Sequence, residues 1–372
     1  MEIKEFFEGF KIDRDGVLWQ KAKKAVKIAA IAFVGIVFLI GTFLFYLNHV
    51  DFAPLMEEEL HPSKRLIPEY IEQRQLSFLT WNIGHGNLGN SMAFFNESGK
   101  KVRATKSATQ NGFEQIVSRV LSLRNTDFIL LQEVDFDSKR THFINQYAAL
   151  SNAMFFHESV FALNYSVPYV PLPLTKPLGK VNSGQMTLSR FASKTARRIS
   201  YPQIALWPGR LFLHDRCVIE TRYPIKEGGE LVVFNTHNSD FVKDDQNIDL
   251  EIDVLRKRMI KEYEKGNFVL VGGDWNVNPP DFEPSRSYDY LYKKTDLSFP
   301  KNMIPTGWQF AYSNLVPTSR FSNTPFSKSK TYTTTTDYFI VSPNIEIIHI
   351  EVLNLEFESS NHNPILLKIS LK

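Results

Sequence analysis

From Leu76 onward the chain keeps producing short apolar runs that stop, or start, at a polar residue able to do chemistry. Phe268-Val269-Leu270-Val271 reads as a buried strand, and Gly272-Gly273-Asp274-Trp275-Asn276-Val277-Asn278-Pro279 follows it directly. A carboxylate and a carboxamide two residues apart then leave the end of a sheet on the same side. The glycines before them let the backbone turn sharply or approach a ligand closely. Asp274 can accept a proton from water, and Asn276 can hold that water or a phosphate oxygen. Taken alone, the same residues also fit a plain turn opened by Asp and Asn.

The other runs share this design. Leu76 to Gly84 is a strand with Asn82 at its end. Asp127 to Val134 is an apolar strand ending in Gln132-Glu133. Leu231 to Asn238 is a strand ending in His237. Asp337 opens the strand that runs to Ser342, and Ser360-Asn361-His362-Asn363-Pro364 stands just before the last strand. A lone His beside a strand is ordinarily a hydrogen-bonded core or rim residue. Accident is a poor explanation for all of these residues meeting in one chain.

The ordered set Trp-Asn, Gln-Glu, Ser-Gly, Thr-His, Gly-Asp-x-Asn, Asp-Tyr and Ser-x-His-x-Pro resembles the endonuclease/exonuclease/phosphatase superfamily, over Leu76 to Lys372. The resemblance implies an α+β, four-layer sandwich of two packed, mostly antiparallel β-sheets flanked by helices, with the site at one end. It also implies roles. Glu133, with help from Asn82, would hold Mg²⁺ or Mn²⁺, hard ions that prefer oxygen ligands. Asp274 would activate water, and Asn276 would orient water or phosphate. His237 and His362 would donate to nonbridging oxygens and steady the charge of the transition state. Asp337 would fix the tautomer of His362. Ser183, in the Ser-Gly segment, would shape the site and touch phosphate. One position departs from the family: its last motif is usually Ser-Asp-His, and this chain has Ser360-Asn361-His362. Asn361 keeps the shape and loses the charge, which puts a second metal ion in doubt.

The N-terminus carries a separate signal. Ile28 to Leu47 contains no charged residue, a length that suits one transmembrane helix. Lys21, Lys23, Lys24 and Lys27 precede it, and Asp51, Glu57, Glu58 and Glu59 follow, which predicts a cytoplasmic N-terminus and an external C-terminal domain. A cleaved signal peptide is the rival reading, but its apolar stretch is normally shorter and is followed by small residues. The expected organisation is a cytoplasmic segment (1–27), a membrane helix (28–47), a linker with a short helical element (48–75) and a catalytic domain (76–372).

Some features bear on the cleft or on the fold. Tyr165 to Gly179 carries four prolines, too many for a central strand; it reads as a loop shaping the cleft or as a surface arm. Ser298 to Thr336 reads as a second long loop near the site. Gln246 to Tyr263 reads as a helix with Ile248, Ile252, Leu255, Met259 and Ile260 on one face. The single cysteine, Cys217, excludes an intrachain disulfide framework and a cysteine-based zinc site; its apolar surroundings suggest a buried small hydrophobe. Arg216 either reaches the site or pairs with a surface carboxylate, the second being favoured. His85 either meets substrate or simply occupies a turn.

The formal net charge is +3, most of it before Ile28, so the domain lacks the basic footprint of a nonspecific nucleic-acid binder. The expected activity is metal-dependent hydrolysis of phosphoester bonds, of phosphodiesterase or nuclease type, by a domain anchored in the cell membrane. Phospholipid-directed and phosphomonoesterase activities are alternatives, and a noncatalytic binding module on the same fold is the other class. The expected partners are a phosphoester substrate and the membrane, with no obligate protein partner.

Overall fold

The computed structural model describes residues 16–239, 245–282 and 298–372. Contacts divide the chain into two compact units, Met1–Asp51 and Phe52–Lys372. The first contains helix α1 (Val17–His49). From Trp19 to His49 it is long and apolar enough to cross a membrane. The lysines ahead of Ile28 continue the same helix.

The second unit holds two large sheets. One has six strands in the order β14-β15-β2-β3-β5-β4. Its strands are β2 (Gln75–Asn82), β3 (Phe128–Asp135), β4 (Glu158–Val170), β5 (Gly179–Ser189), β14 (Ile345–Val352) and β15 (Ile365–Leu371). The other has seven, in the order β1-β6-β7-β8-β9-β13-β10. These are β1 (Glu57–Glu59), β6 (Thr195–Ser200), β7 (Cys217–Pro224), β8 (Glu230–His237), β9 (Phe268–Asp274), β10 (Gln309–Ala311) and β13 (Asp337–Val341). Two short strands, β11 (Ser319–Arg320) and β12 (Thr333–Thr334), pair apart from both. Among the described residues, the neighbouring sheet strands β2 and β3, and β8 and β9, run parallel and the other neighbours antiparallel.

The side-chain alternation explains the layering. In β2, β3 and β9, Phe78, Phe128, Leu130 and Leu270 point between the sheets, where they meet Val233 and Phe339. The intervening Leu79, Trp81, Ile129 and Leu131 point outward, under α2 (Lys106–Ser122) and α3 (Gln146–Ala153). On the opposite outer face, Val269 and Val271 are covered by Ile248, Ile252, Leu255 and Met259 of α4 (Asp245–Glu264). Strands buried on both faces read as unbroken apolar runs, which is how they appear in the sequence. Four layers result, the expected sandwich.

Two local outcomes differ from the sequence reading, and one matches it. Residues 52–75 belong to the folded unit, and the acidic run Glu57–Glu59 forms an edge strand rather than a helical turn. Arg197 and Arg258 form ion pairs with Glu57 and offset its charge. The proline-rich stretch after Tyr165 begins as strand: β4 runs to Val170 through Pro168. It can do so because β4 is an edge strand, with one side free of ladder demands. Cys217 is fully buried among Val160, Ala162, Ala196 and Ile219, as expected.

Candidate active site

Neighbouring strands end in the residues that matter. Across β8, β9 and β13, His237 pairs with Asp274 and Asp274 with Asp337, so three side chains line one sheet end. In the other sheet Asn82 pairs with Gln132, one residue before Glu133. Below this end, the Gln132 amide donates to Asn235 Oδ1 at 2.8 Å, and Asn235 Nδ2 donates to Met186 O at 3.0 Å. These amides tie the two sheets together, with Gln132 Oε1 left buried without a hydrogen-bond partner.

Glu133 leaves the strand pattern. The ladder between β3 and β5 slips between Leu131 and Val134, and Glu133 has φ +55°. This bulge aims the carboxylate into the site. His85 Nδ1 lies 2.9 Å from Glu133 Oε2, and Asn82 Nδ2 donates to Oε1 at 3.3 Å. Burial and the charge of Arg140 keep His85 neutral, so its Nδ1–H serves as donor. Burial pushes Glu133 up, but His85 and Arg140 outweigh it and hold the carboxyl well below the usual range.

Asp274 is the hub. Its Oδ2 accepts from Asn82 Nδ2 at 3.0 Å and lies 3.5 Å from His237 Nε2 and 3.7 Å from His362 Nε2. Its Oδ1 accepts from the Asn276 backbone N–H at 3.0 Å, with Asn276 at φ +54°. The Asn276 side chain is fixed by donating to Asn238 O at 2.8 Å. Burial and the nearby Asp337 carboxylate raise Asp274 to about 6. His362 Nδ1 meets Asp337 Oδ2 at 2.8 Å. Burial opposes charge on His362, but Asp337 and Asp274 prevail and raise it to about 9. Burial and then Arg216 hold His237 well below its ordinary value, so it is neutral.

The structure therefore brings together Asn82, Glu133, His237, Asp274, Asn276, Asp337 and His362. Ser183 is placed by the ladder between β3 and β5. It pairs with Asp135 across β3 and β5, and its buried hydroxyl makes no hydrogen bond of good geometry. Asn361 lies against the turn after Asn82: a Cβ on Gly84 would come within 2.9 Å of its Oδ1. That Oδ1 is buried without a hydrogen-bond partner.

Two residues gain importance. His85 positions Glu133; the Gly-His-Gly turn after Asn82 was its only signal in the sequence. Arg216 has no ion pair among the described residues, contrary to the favoured surface pairing, and its Nη1 is buried without an acceptor. It stands just before β7, whose Val218 pairs with Thr236 beside His237. Arg140 also acts on His237, but its guanidinium is taken up by Asp135, at 2.8 and 3.1 Å. Arg216 is thus a cation near the site with a donor to spare for an anion.

Two sets of groups are candidates for a metal ion. Glu133 is ionised, 23% exposed and supplies hard oxygens, which suits Mg²⁺ or Mn²⁺. Asn82 turns its amide nitrogen to both carboxylates while its Oδ1 accepts from Gly84 N–H at 3.0 Å, so it braces them here. Asp274, Asp337 and His362 also bring ligand-type atoms within 4.8 Å of one another. Two members of that trio are hydrogen-bonded to each other, which makes it a proton-handling network first. The buried Oδ1 of Asp337, without a hydrogen-bond partner, is the oxygen a further donor or cation would complete.

Known structures share this architecture. An endonuclease/exonuclease/phosphatase from Beutenbergia cavernae DSM 12333 superposes with a TM-score of 0.53 at 16% identity, covering 80% of this chain and 72% of the other. ANGEL2, a 2',3'-cyclic phosphatase in complex with adenosine-2',3'-vanadate, gives 0.54 at 15% identity, over 84% and 99%. D. rerio TDP2 complexed with a single-strand DNA product gives 0.50 at 13% identity, over 80% and 99%. At such identities the likeness shows the fold alone. No curated protein matches by sequence. The model of the Endonuclease/Exonuclease/phosphatase family matches residues 79–362, most of the second unit. With the strand-end residues in place, the chain belongs to that family.

Proposed function

We propose that this chain is a membrane-anchored hydrolase of phosphate esters that works with a bound Mg²⁺ or Mn²⁺, its catalytic unit lying outside the cytoplasm. Family membership indicates a phosphoester hydrolase. The observation that carries the finer reading is the convergence on Asp274, whose carboxylate is within 4 Å of His237 and His362 and hydrogen-bonded to Asn82.

A phosphate ester resists attack because it is anionic, so the site must supply positive charge and a base. A cation held by Glu133, with Asn82 beside it, would neutralise charge on the phosphoryl oxygens. Asp274 takes a proton from the attacking water, and its elevated pKa makes it a better base than an exposed carboxylate. Protonated His362, steadied by Asp337, and neutral His237 donate to nonbridging oxygens. Arg216 adds a fixed positive charge. Asn276, locked by Asn238, orients water or phosphate.

Substrates divide into nucleic acids, phospholipids and phosphomonoesters. The nucleotide-type ligands of ANGEL2 and TDP2 favour phosphodiester chemistry for this chain too. A panel of plasmid DNA, RNA, sphingomyelin vesicles and phosphoinositides, offered to the detergent-solubilised full chain with Mg²⁺ and with EDTA, tests the reading. Cleavage of at least one substrate class, abolished by EDTA, is expected. Cleavage unaffected by EDTA contradicts the metal, and no cleavage of any class contradicts the activity.

A further inference from the structure

Three segments crowd the end of the second unit where the site opens. Strands β4 and β5 continue pairing beyond β3: Asp135, the last residue of β3, faces Ser183, while β4 and β5 pair on to Val170 and Gly179. The tip at 171–178 therefore stands past the site. The connection from β6 to β7 rises at the same end, because Ser200 pairs with Cys217 and Val218 with Thr236, one residue before His237. The two loops brace each other: Tyr165 Oη donates to Phe212 O at 3.2 Å, and its ring stacks on His214 at 3.8 Å. The third segment is where the chain enters the unit. Glu57 pairs with Ile199, the Ser200 N–H donates to Met56 O at 2.9 Å, and the Ser200 hydroxyl donates to Leu55 O at 2.7 Å.

All three segments give large apolar side chains to solvent. Leu174 and Leu206 are 83% and 84% exposed, and Leu55, Met56, Leu172 and Trp207 are each more than half exposed. A grouping of this kind marks a docking surface. Its charge narrows the partner. Residues 165–180 and 201–214 contain no Asp or Glu, and Lys176 and Arg210 are exposed among them. In these two segments apolar side chains with scattered cations suit the headgroup region of a bilayer with anionic lipids; in the third, Glu57–Glu59 follow Met56, and Glu57 is paired with Arg197 and Arg258. Nucleic acid would call for a denser run of cations.

The chain also brings a bilayer within reach. Leu55 and Met56 follow closely on the end of α1 at His49. Fully extended, the stretch from Val50 to Met56 spans on the order of 25 Å. We propose that this apolar rim docks on the surface of the membrane that α1 enters, so that the site faces the headgroup phosphates of lipids. The inference deepens the phosphoesterase reading and rests on it for the substrate class.

The opposite end supplies a control. Leu66, Phe155 and Phe156 are also exposed there, around a cavity of about 670 Å³. The full chain is reconstituted into nanodiscs of phosphatidylcholine and phosphatidylglycerol, with a nitroxide on Leu174→Cys, Leu206→Cys or Phe156→Cys. Cys217 is fully buried, which pushes its thiol up to about 11 and keeps it unlabelled. Labels at 174 and 206 should collide with oxygen in preference to an aqueous nickel complex, and the label at 156 should do the reverse. Labels at 174 and 206 that stay in water overturn the docking surface. In the second arm, Leu174→Ser combined with Leu206→Ser should lower turnover of a phospholipid in the disc by about tenfold, since each leucine loses its burial. Turnover of soluble bis(p-nitrophenyl) phosphate should not change. Equal loss on both substrates, or on neither, overturns the lipid assignment. Lipid-buried labels without turnover of either substrate uphold the docking surface and defeat the phosphoesterase reading instead.

Discussion

Asp274 and His362 sit on opposite sides of one proton balance. Burial and Asp337 raise the carboxyl to about 6, and the two carboxylates raise the imidazole to about 9. Turnover needs Asp274 deprotonated and His362 protonated, so the rate should climb through pH 6 and fall through pH 9. Asp337→Asn should move the alkaline limb to lower pH, and a pH-rate profile of the two proteins checks it. The same shift has a sign for stability. His362 has a raised folded pKa, so its contribution is full below about 6.5 and lost as pH rises through about 9. His85 belongs to this scale too. With its ring removed, Glu133 loses the donor at 2.9 Å that holds it ionised and aimed. His85→Ala should weaken Mg²⁺ affinity by roughly 10- to 100-fold, as loss of a residue supporting a ligand does. A calorimetric titration measures this, and an unchanged affinity would remove Glu133 as the ligand that His85 serves.

At the scale of elements, the site depends on strands that end in register. Gly273 shows how little slack there is: φ is +154°, and a Cβ there would lie 1.9 Å from Thr236 O in the neighbouring strand β8. Gly273→Ala should therefore push β8 and β9 apart and cost at least about 1–3 kcal/mol, the range for overpacking. A thermal melt reads this as a lower midpoint. The strands themselves were legible because burial on both faces leaves unbroken apolar runs, as in Phe268 to Val271. The helix carrying Ile248, Ile252, Leu255 and Met259 was legible from its period. What escaped the sequence were features made by partners distant in the chain. The bulge that turns Glu133 exists only against β5. The edge strand Glu57–Glu59 depends on pairing with β6 and on Arg197 and Arg258. Arg216 could be placed only once β7 was seen beside β8.

For the whole molecule, an apolar helix long enough to cross a membrane precedes a folded unit that carries the site. The proposed orientation, with a cytoplasmic N-terminus, rests on the lysines before Ile28 and the acidic residues after the apolar span. Protease added to intact cells, with access through any outer envelope, should digest the unit from Phe52 to Lys372. Protection until the anchoring membrane is breached would reverse the orientation. The motif residues were legible as a set because most stand at a strand end or in the loop beside one; their distances were not, since they come from two sheets tied together by Gln132 and Asn235. The central claim is that this convergence forms a metal-dependent base catalyst centred on Asp274. The most direct test is the steady-state hydrolysis of bis(p-nitrophenyl) phosphate by the full chain across a Mg²⁺ titration, for the wild type and for Asp274→Asn. Turnover should rise from none in EDTA to saturation in the wild type, and Asp274→Asn should lower kcat by about 100-fold or more with little change in KM. Near-normal turnover by Asp274→Asn, or wild-type turnover that ignores Mg²⁺, would contradict the account.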